Sequence, residues 1–265
     1  MSGDPAVLAD GGIRVETIGA AAVITLDRAA TRNAMTSAMW SALPALMEQL
    51  AQNAGTKVVL LTGAHRAFCT GADVSEFPSA FADATAARAY NDLVEAGRAA
   101  LTDFPKPTIA LVPGLAVGAG CGLSIACDLR FAADGARFAM PPARLGAAYP
   151  FPGVRQLTDL IGPARAKDML YSGRLVGAEE ALRIGLVDRV CPTAALMETA
   201  LEYAEGLAAL SANSHRITKQ MVNAVTEGAE TETPELRALF DGSFASEDFR
   251  EGYRAFLEKR KPVFK

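Results

Sequence analysis

Two stretches of small residues in this chain could present bare peptide N–H groups to a ligand. The segment Val117 to Asp128 reads VGAGCGLSIACD and opens an apparent helix, while Ala67 to Phe77 reads AFCTGADVSEF and follows an apolar run. Peptide amides approach a ligand closely only where side chains are small, and amides at a helix N-terminus lack intrahelical partners. If the strands before the two stretches are neighbours, one amide from each converges on a single oxygen, as in an oxyanion hole. The alternative is that the small residues only permit close helix–sheet packing.

Other sequence motifs for catalysis are incomplete. Gly118, Gly120 and Gly122 form GxGxG, but the third glycine of the dinucleotide-binding pattern GxGxxG is missing. The nucleophile elbow GxSxG also fails, because GLSIA ends in alanine. His65 occupies a polar turn and His215 a helical segment with basic neighbours, so we expect both at the surface rather than in catalysis.

The composition describes a globular protein and excludes several partner classes. The chain has 265 residues, half of them hydrophobic, and a net charge of −4. This balance argues against a nucleic acid or anionic lipid partner. No apolar run is long enough for a membrane span and no signal peptide begins the sequence, so we expect a cytoplasmic protein. The four cysteines contain no CxxC pair, which predicts reduced, buried thiols and no metal site.

The hydrophobic pattern alternates between strands and helices through the first two thirds of the chain. Strands alternating with helices indicate crossover connections and parallel pairing. The predicted elements are a hairpin of Ile13 to Ile18 and Ala21 to Asp27, a helix from Thr36 or Ser37, the strand KVVLLTG, a helix over roughly 80–102 and the strand TIALV.

From about Thr193 onward the strand pattern disappears and helical spacing continues to the end. The last helix has Ser246 as its expected N-cap and a basic cluster, Lys259 to Lys261, in its expected last turn. We therefore expect an α/β core over residues 1–192 and a helical region over 193–265.

Six motifs together resemble the enoyl-CoA hydratase/isomerase (crotonase) superfamily, from about Ile13 to Phe264. The resemblance implies a crotonase-like spiral of ββα units with a C-terminal helical trimerisation region, assembled as a homotrimer or homohexamer. It also implies an acyl-CoA thioester substrate and no separate cofactor, because coenzyme A is part of that substrate. The motifs are LDRAATRNAM, RAFCTGADVSEF, KPTIALVPGLAVGAGCGLSIACDLRFA, ARFAMPPARLG, SGRLVGAEEALRIGLVDRV and AFLEKRKPVF.

Carried over position by position, the resemblance makes the backbone amides of Ala72 and Ala119 the oxyanion donors, although the family usually has glycine at the second position. Phe256 and Lys259 match positions that reach the adenine end of coenzyme A, often from a neighbouring subunit. A plain cationic helix end is the alternative for Lys259. The remaining expected coenzyme A contacts are Arg28, Ala72, Asp73, Val74 and Ser75.

The two glutamates that hydratases of this superfamily use as general acid and base are replaced here. Their positions are held by Gly122 and Pro142, and neither residue can transfer a proton. The segment FAMPPARLGAAY resembles that of methylmalonyl-CoA decarboxylase, and Tyr149 falls on the active-site tyrosine of that enzyme. The histidine and glutamate of that enzyme correspond to Ala72 and Gly122. A rim aromatic beside Pro150 is the alternative for Tyr149.

Three interpretations of the function stay open at this level. The first is an enoyl-CoA hydratase or isomerase with a different proton donor, for which Asp73, Glu76 and Asp128 are candidates. The second is a decarboxylase-like lyase, because loss of CO₂ leaves the enolate directly. The third is a non-catalytic acyl-CoA binding protein.

Overall fold

The computed structural model describes residues 6–9 and 11–264. In this range the strands are β1 (Ala6–Leu8), β2 (Ile13–Ile18), β3 (Ala21–Leu26), β4 (Val58–Gly63), β5 (Ala67–Cys69), β6 (Thr108–Val112), β7 (Leu115–Val117), β8 (Leu129–Ala133), β9 (Arg137–Ala139), β10 (Val176–Gly177) and β11 (Arg189–Cys191). The α-helices are α1 (Ser37–Gln52), α2 (Phe77–Ala80), α3 (Ala84–Thr102), α4 (Ala119–Ala126), α5 (Phe151–Ile161), α6 (Pro163–Ser172), α7 (Ala178–Arg183), α8 (Leu196–Ala208), α9 (Ala212–Thr226), α10 (Pro234–Ser243) and α11 (Glu247–Leu257). Short 3₁₀ helices cover Ala29–Thr31, Val74–Glu76, Pro142–Leu145 and Thr193–Ala195.

Local capping residues set where the long helices begin. The Thr36 hydroxyl accepts a hydrogen bond from the Met39 amide at 3.2 Å, so α1 begins at Ser37 as the sequence predicts. Asp83 caps α3 through the amides of Thr85 and Ala86. That helix therefore begins at Ala84 and not near residue 80, where the separate α2 ends.

Two sheets organise the core. The larger sheet has the strand order β1-β2-β3-β4-β6-β8-β11, antiparallel across its first three strands and parallel from β3 onward. The smaller sheet has the order β10-β9-β7-β5, with β5, β7 and β9 parallel. The pairs β4/β5, β6/β7 and β8/β9 each send their first strand to the large sheet and their second to the small one. This is the expected spiral of ββα units.

The central strands β3, β4 and β6 of the large sheet are buried on both faces, which explains why they read as continuous apolar runs. Along β4, Val59 and Leu61 face the main core, whereas Val58 and Leu60 face a second core. Helix α8 covers that second core, although it belongs to the C-terminal helical region. The proposed division near residue 193 stays a prediction.

The end of the last helix differs from the sequence-based expectation. Helix α11 begins after Ser246, as predicted, but ends at Leu257, before the basic cluster. Lys259 has a φ of +53°, and the Arg260 amide donates to the Ala255 carbonyl at 3.0 Å, a hydrogen bond that closes the helix C-terminus. The basic cluster therefore follows the helix, and Arg260 pairs with Glu251.

Two further properties concern membranes and cysteines. Within the described ranges, every helix is too short or too polar to cross a bilayer. The four cysteines are buried free thiols, as their apolar sequence surroundings predict.

Candidate active site

The two loops of small residues lie side by side because the strands before them are neighbours. Strands β5 and β7 pair in parallel, with Ala67 opposite Leu115, so their carboxyl ends meet at one edge of the small sheet. A β-carbon added to Gly71 would lie 3.3 Å from the Val117 carbonyl oxygen and 3.9 Å from the Ala119 nitrogen. The strands before the two loops are therefore neighbours, which is the condition stated above for their amides to converge on one oxygen.

Each loop carries a glycine with a backbone conformation that other residues rarely adopt, immediately before a candidate donor. Gly71 has a φ of +116° and precedes Ala72, and Gly118 has a φ of +54° and precedes Ala119. These two peptide units turn where the chain leaves the sheet. Substituting either glycine by a larger residue would strain the turn that orients the following amide.

The amides of Ala72 and Ala119 have no backbone acceptor among the described residues. Met35 bridges the first loop: its amide donates to the Gly71 carbonyl and its carbonyl accepts from the Asp73 amide, both at 2.8 Å. Neither of these two hydrogen bonds uses the Ala72 N–H. Ala119 is the first residue of α4, where amides lack intrahelical acceptors. Two amides on neighbouring loops are thus left without a backbone acceptor.

Asp73 and Arg28 hold the first loop in place. Arg28 Nη1 lies 2.8 Å from Asp73 Oδ2, and the same nitrogen donates to the Ala34 carbonyl at 2.7 Å. Asp73 Oδ1 accepts from the Ser75 hydroxyl and amide. The hydrogen bonds from Ser75, followed by the pairing with Arg28, lower the pKa of Asp73 below its ordinary value. Arg28 thus reaches the loop whose residues are expected to contact coenzyme A.

Asn33 is a second anchor of this region, which the sequence analysis missed. It is fully buried, has a φ of +63°, and donates from Nδ2 to the carbonyl groups of Ala64 and Ala67 at 2.9 and 2.8 Å. Its Oδ1 accepts from the Arg28 amide. The motif LDRAATRNAM contains this asparagine, but nothing in its local pattern indicates that it ties two distant turns together.

The three carboxylates considered as proton donors are held by structural hydrogen bonds. Glu76 Oε2 accepts from the amide and hydroxyl of Ser37, at 2.8 and 2.7 Å, at the start of α1. Asp128 Oδ2 accepts from the amide and hydroxyl of Thr108, at 2.8 and 3.0 Å. With Asp73 paired to Arg28, each of the three has a role in positioning the backbone. None of these contacts is with the two free amides.

Tyr149 fills the space beside α4 that a side chain at position 122 would need. A β-carbon on Gly122 would overlap the Tyr149 hydroxyl, and a β-carbon on Gly153 would overlap the tyrosine ring. The hydroxyl oxygen also lies 3.4 Å from the Gly118 carbonyl oxygen, next to the loop of Ala119. The tyrosine hydroxyl therefore fills the space beside position 122, which the resemblance assigns to the first glutamate, and glycine at 122 accommodates it.

The environment of Tyr149 keeps its hydroxyl protonated. Burial raises the pKa of Tyr149 well above its ordinary value, and the nearby positive charge of Arg98 offsets only part of this effect. At neutral pH the group is therefore a hydrogen-bond donor and a proton source, and a poor base.

Arg98 is the second residue that the sequence analysis missed. It lies on α3 with only 2% of its surface exposed. A signal for this was present, because Tyr90, Arg98 and Leu101 follow helical spacing and all three are buried. An arginine in the buried register of a helix is unusual and marks a candidate site.

The histidines lie elsewhere. His65 is exposed and pairs with Asp27 at 2.8 Å, as expected for a surface residue. His215 on α9 is half-buried rather than fully exposed, and burial lowers its pKa. It lines a cavity of about 520 Å³ beyond the C-terminal end of α4.

The C-terminal candidates lie on an open surface. Phe256, near the end of α11, is 83% exposed, and Lys259 is exposed beyond the helix end. Pro142 begins the short 3₁₀ helix and carries no titratable group. The roles of Phe256 and Lys259 in binding coenzyme A stay predictions.

Comparison with known proteins agrees with the fold. Residues 16–265 match the family described as enoyl-CoA hydratase/isomerase. The chain belongs to this family, the crotonase superfamily. A crystal structure of an enoyl-CoA hydratase/isomerase family protein from Hyphomonas neptunium superposes with a TM-score of 0.92 and 40% identity, covering 96% of this chain and 97% of that one.

Two curated relatives carry activity names. The Mycobacterium bovis protein named "Probable enoyl-CoA hydratase echA8" is 37% identical over 253 residues, which cover 95% of this chain and 97% of the relative. The 2,3-dehydroadipyl-CoA hydratase of Escherichia coli is 36% identical over 244 residues, with 92% and 94% coverage. Crotonase-family membership makes this chain an enzyme of acyl-CoA processing.

Proposed function

We propose that the chain binds an acyl-CoA with its thioester oxygen between the amides of Ala72 and Ala119 and stabilises the thioester enolate there. The free state of these two amides is the observation that carries the proposal. Preorganised donors stabilise charge that develops on the oxygen, and the N-terminus of α4 adds a favourable dipole.

In this proposal Tyr149 supplies the proton. Its hydroxyl lies beside the Gly118 carbonyl, one residue before the second donor, and is kept neutral by burial. With glycine at 122 and proline at 142, the two positions that the resemblance assigns to the water-activating glutamates carry no carboxylate. A neutral phenol can protonate an enolate carbon but cannot readily remove a proton from a thioester.

Decarboxylation of a malonyl-type acyl-CoA is the reaction that fits these groups best. The bond between the α-carbon and the carboxylate breaks, its electron pair forms the enolate, and CO₂ leaves. Negative charge collects on the thioester oxygen between the two amides. Tyr149 then transfers its proton to the α-carbon and regains one from water. No base is required, which matches the missing glutamates.

The coenzyme A path in this proposal follows the first loop. Asp73, Val74 and Ser75 line it, and Arg28, held against Asp73, contributes a positive charge for phosphate. Val74 is 63% exposed, which leaves an apolar surface for the pantetheine arm. Phe256 and Lys259 of the same or a neighbouring subunit contact the adenine end. Coenzyme A enters as part of the substrate.

The test is a panel of enoyl-, dienoyl- and malonyl-type CoA thioesters, with products read by mass spectrometry. We expect micromolar binding, about −7 to −8 kcal/mol, and CO₂ loss from malonyl-type thioesters. Binding without turnover of any thioester would favour a non-catalytic acyl-CoA binding protein. If calorimetry detects no heat of binding with acyl-CoA at millimolar concentration, the proposal is wrong.

A further inference from the structure

Arg98 carries a buried N–H group without an acceptor. Its Nη1 donates to Glu95 Oε2 at 3.0 Å and its Nη2 donates to Gln156 Oε1. Among the described residues, none accepts from its Nε, although the side chain is 98% buried. Leaving a charged donor buried and unpaired is costly, so such a group calls for an explanation such as a missing ligand.

The unpaired nitrogen lies beside the candidate active site. A β-carbon at position 122 would lie 3.8 Å from Arg98 Nε and against the Tyr149 hydroxyl. The Nε–H and the tyrosine O–H therefore lie together beside α4, where the hydroxyl fills the space next to Gly122. Position 122 is three residues along α4 from Ala119, about 4.5 Å at 1.5 Å per residue. A short acyl chain held at the Ala119 amide can reach this space.

The electrostatic surroundings of that space favour an anion. The counter-ion of Arg98, Glu95, has a side chain that is 42% exposed, so solvent partly screens its charge. The groups that act on the Tyr149 hydroxyl are Arg98, the thiols of Cys69 and Cys121, and the carboxylate of Glu95. Burial raises the pKa of both thiols to about 12, so they are uncharged at neutral pH. Glu95 is paired with Arg98 Nη1 and leaves the Nε–H without an acceptor.

We propose that Arg98 selects acyl-CoA substrates whose short acyl chain ends in a carboxylate, which accepts hydrogen bonds from Arg98 Nε and the Tyr149 hydroxyl. This inference rests on the proposed function, because it requires the thioester to sit at Ala72 and Ala119. For a malonyl-type substrate the bound carboxylate is the leaving group. Its charge disappears as CO₂ forms, so the contact stabilises the bound substrate more than the transition state and contributes to affinity at some cost in kcat.

Matched pairs of thioesters test the inference without any reaction. Calorimetry compares succinyl-CoA with butyryl-CoA and glutaryl-CoA with valeryl-CoA, pairs in which a terminal carboxylate replaces a terminal methyl group. We expect the carboxylate-bearing member to bind on the order of tenfold tighter or more in the unmodified protein, the typical gain for a charge-assisted hydrogen bond. Equal affinities, or tighter binding of the methyl-ended member, would overturn the inference without needing any variant.

Variants assign the preference to Arg98. In Arg98→Met the ratio of affinities should fall to about one while butyryl-CoA binding is retained, and Arg98→Lys should keep part of the preference. Arg88→Met is the control, because it removes the same charge from an exposed position of α3. A fall in both affinities together, or the same change in Arg88→Met, would contradict a direct contact. If none of the four thioesters binds, the proposed function itself fails.

Discussion

Substitution of Gly122 by alanine should force Tyr149 out of its place beside α4. The added β-carbon would overlap the tyrosine hydroxyl but would lie 3.5 Å from the ring carbon Cζ, an ordinary contact distance. The hydroxyl alone therefore creates the conflict. Overpacking of this kind costs about 1–3 kcal/mol, and the gain of about 0.8–1 kcal/mol from replacing glycine within a helix offsets part of that cost.

Without the tyrosine hydroxyl, Gly122→Ala should stabilise the protein instead of destabilising it. In a Tyr149→Phe background, Gly122→Ala meets no overlapping atom and should stabilise the protein by the helix term, up to about 1 kcal/mol. The double-mutant cycle over positions 122 and 149 should therefore give a coupling free energy of about 1–3 kcal/mol. Gly206→Ala is the control, because position 206 lies in α8 and a β-carbon there has open space.

Thermal unfolding of the four proteins of this cycle measures the coupling. A difference of 1 kcal/mol shifts Tm by about 2–4 °C in a protein of this size class. In the native background we expect Gly122→Ala to have a lower Tm than Gly206→Ala. In the Tyr149→Phe background we expect the two substitutions to give a similar Tm. Additive effects of the two substitutions would show that the tyrosine hydroxyl does not occupy the position 122 space, and the assignment of Tyr149 would fall.

Three other predictions concern the proton donor, the coenzyme A loop and the assembly. Tyr149→Phe should lower turnover by about 10²–10⁴-fold while the affinity for a methyl-ended thioester such as butyryl-CoA changes only slightly. Because burial raises the pKa of Tyr149, wild-type turnover should show no titration between pH 6 and 9. A limb near pH 7, or full activity of the variant, would exclude Tyr149 as the acid. Asp73→Asn should destabilise the protein by about 1–3 kcal/mol at pH 7. Since the folded-state pKa of Asp73 lies below its ordinary value, the difference in unfolding free energy between the wild type and the variant should disappear only as the pH falls below about 4, as denaturation would show. A difference that disappears between pH 7 and 5 would contradict this. Light scattering should give the mass of three or six chains of 27.7 kDa. The reason is a group of contacting aromatic side chains that runs from α10 to α11, Phe240 to Tyr253, and is 42–50% exposed in the single chain. The mass of a monomer at micromolar concentration would refute this prediction.

Periodicity and capping residues were sufficient to predict much of the fold. The apolar run of β4 and the cap at Thr36 are local signals, and the structure confirms both. The end of α11 was misplaced because the left-handed turn at Lys259 and the closing hydrogen bond from Arg260 leave no clear mark in a lysine- and arginine-rich segment.

The site was predictable only as far as backbone donors go. Small residues after two neighbouring strands pointed to the loops of Ala72 and Ala119, and parallel pairing of β5 with β7 brings them together. The contact of the Tyr149 hydroxyl with Gly122 could not be predicted, because these residues meet only through the packing of α4 against the segment before α5. The lack of an acceptor for the Arg98 Nε–H could not be predicted either, because it depends on where Glu95 and Gln156 lie.

The most direct test of the central claim compares two turnovers of the unmodified protein, crotonyl-CoA hydration and CO₂ release from methylmalonyl- or malonyl-CoA. With Gly122 and Pro142 at the glutamate positions, hydration should run at least two orders of magnitude below typical enzyme rates of about 1–10³ s⁻¹. Decarboxylation should be the faster reaction and should require Tyr149. Rapid hydration of crotonyl-CoA by the native chain, with no CO₂ released from either malonyl-type thioester, would contradict the claim that a neutral tyrosine replaces the carboxylate pair.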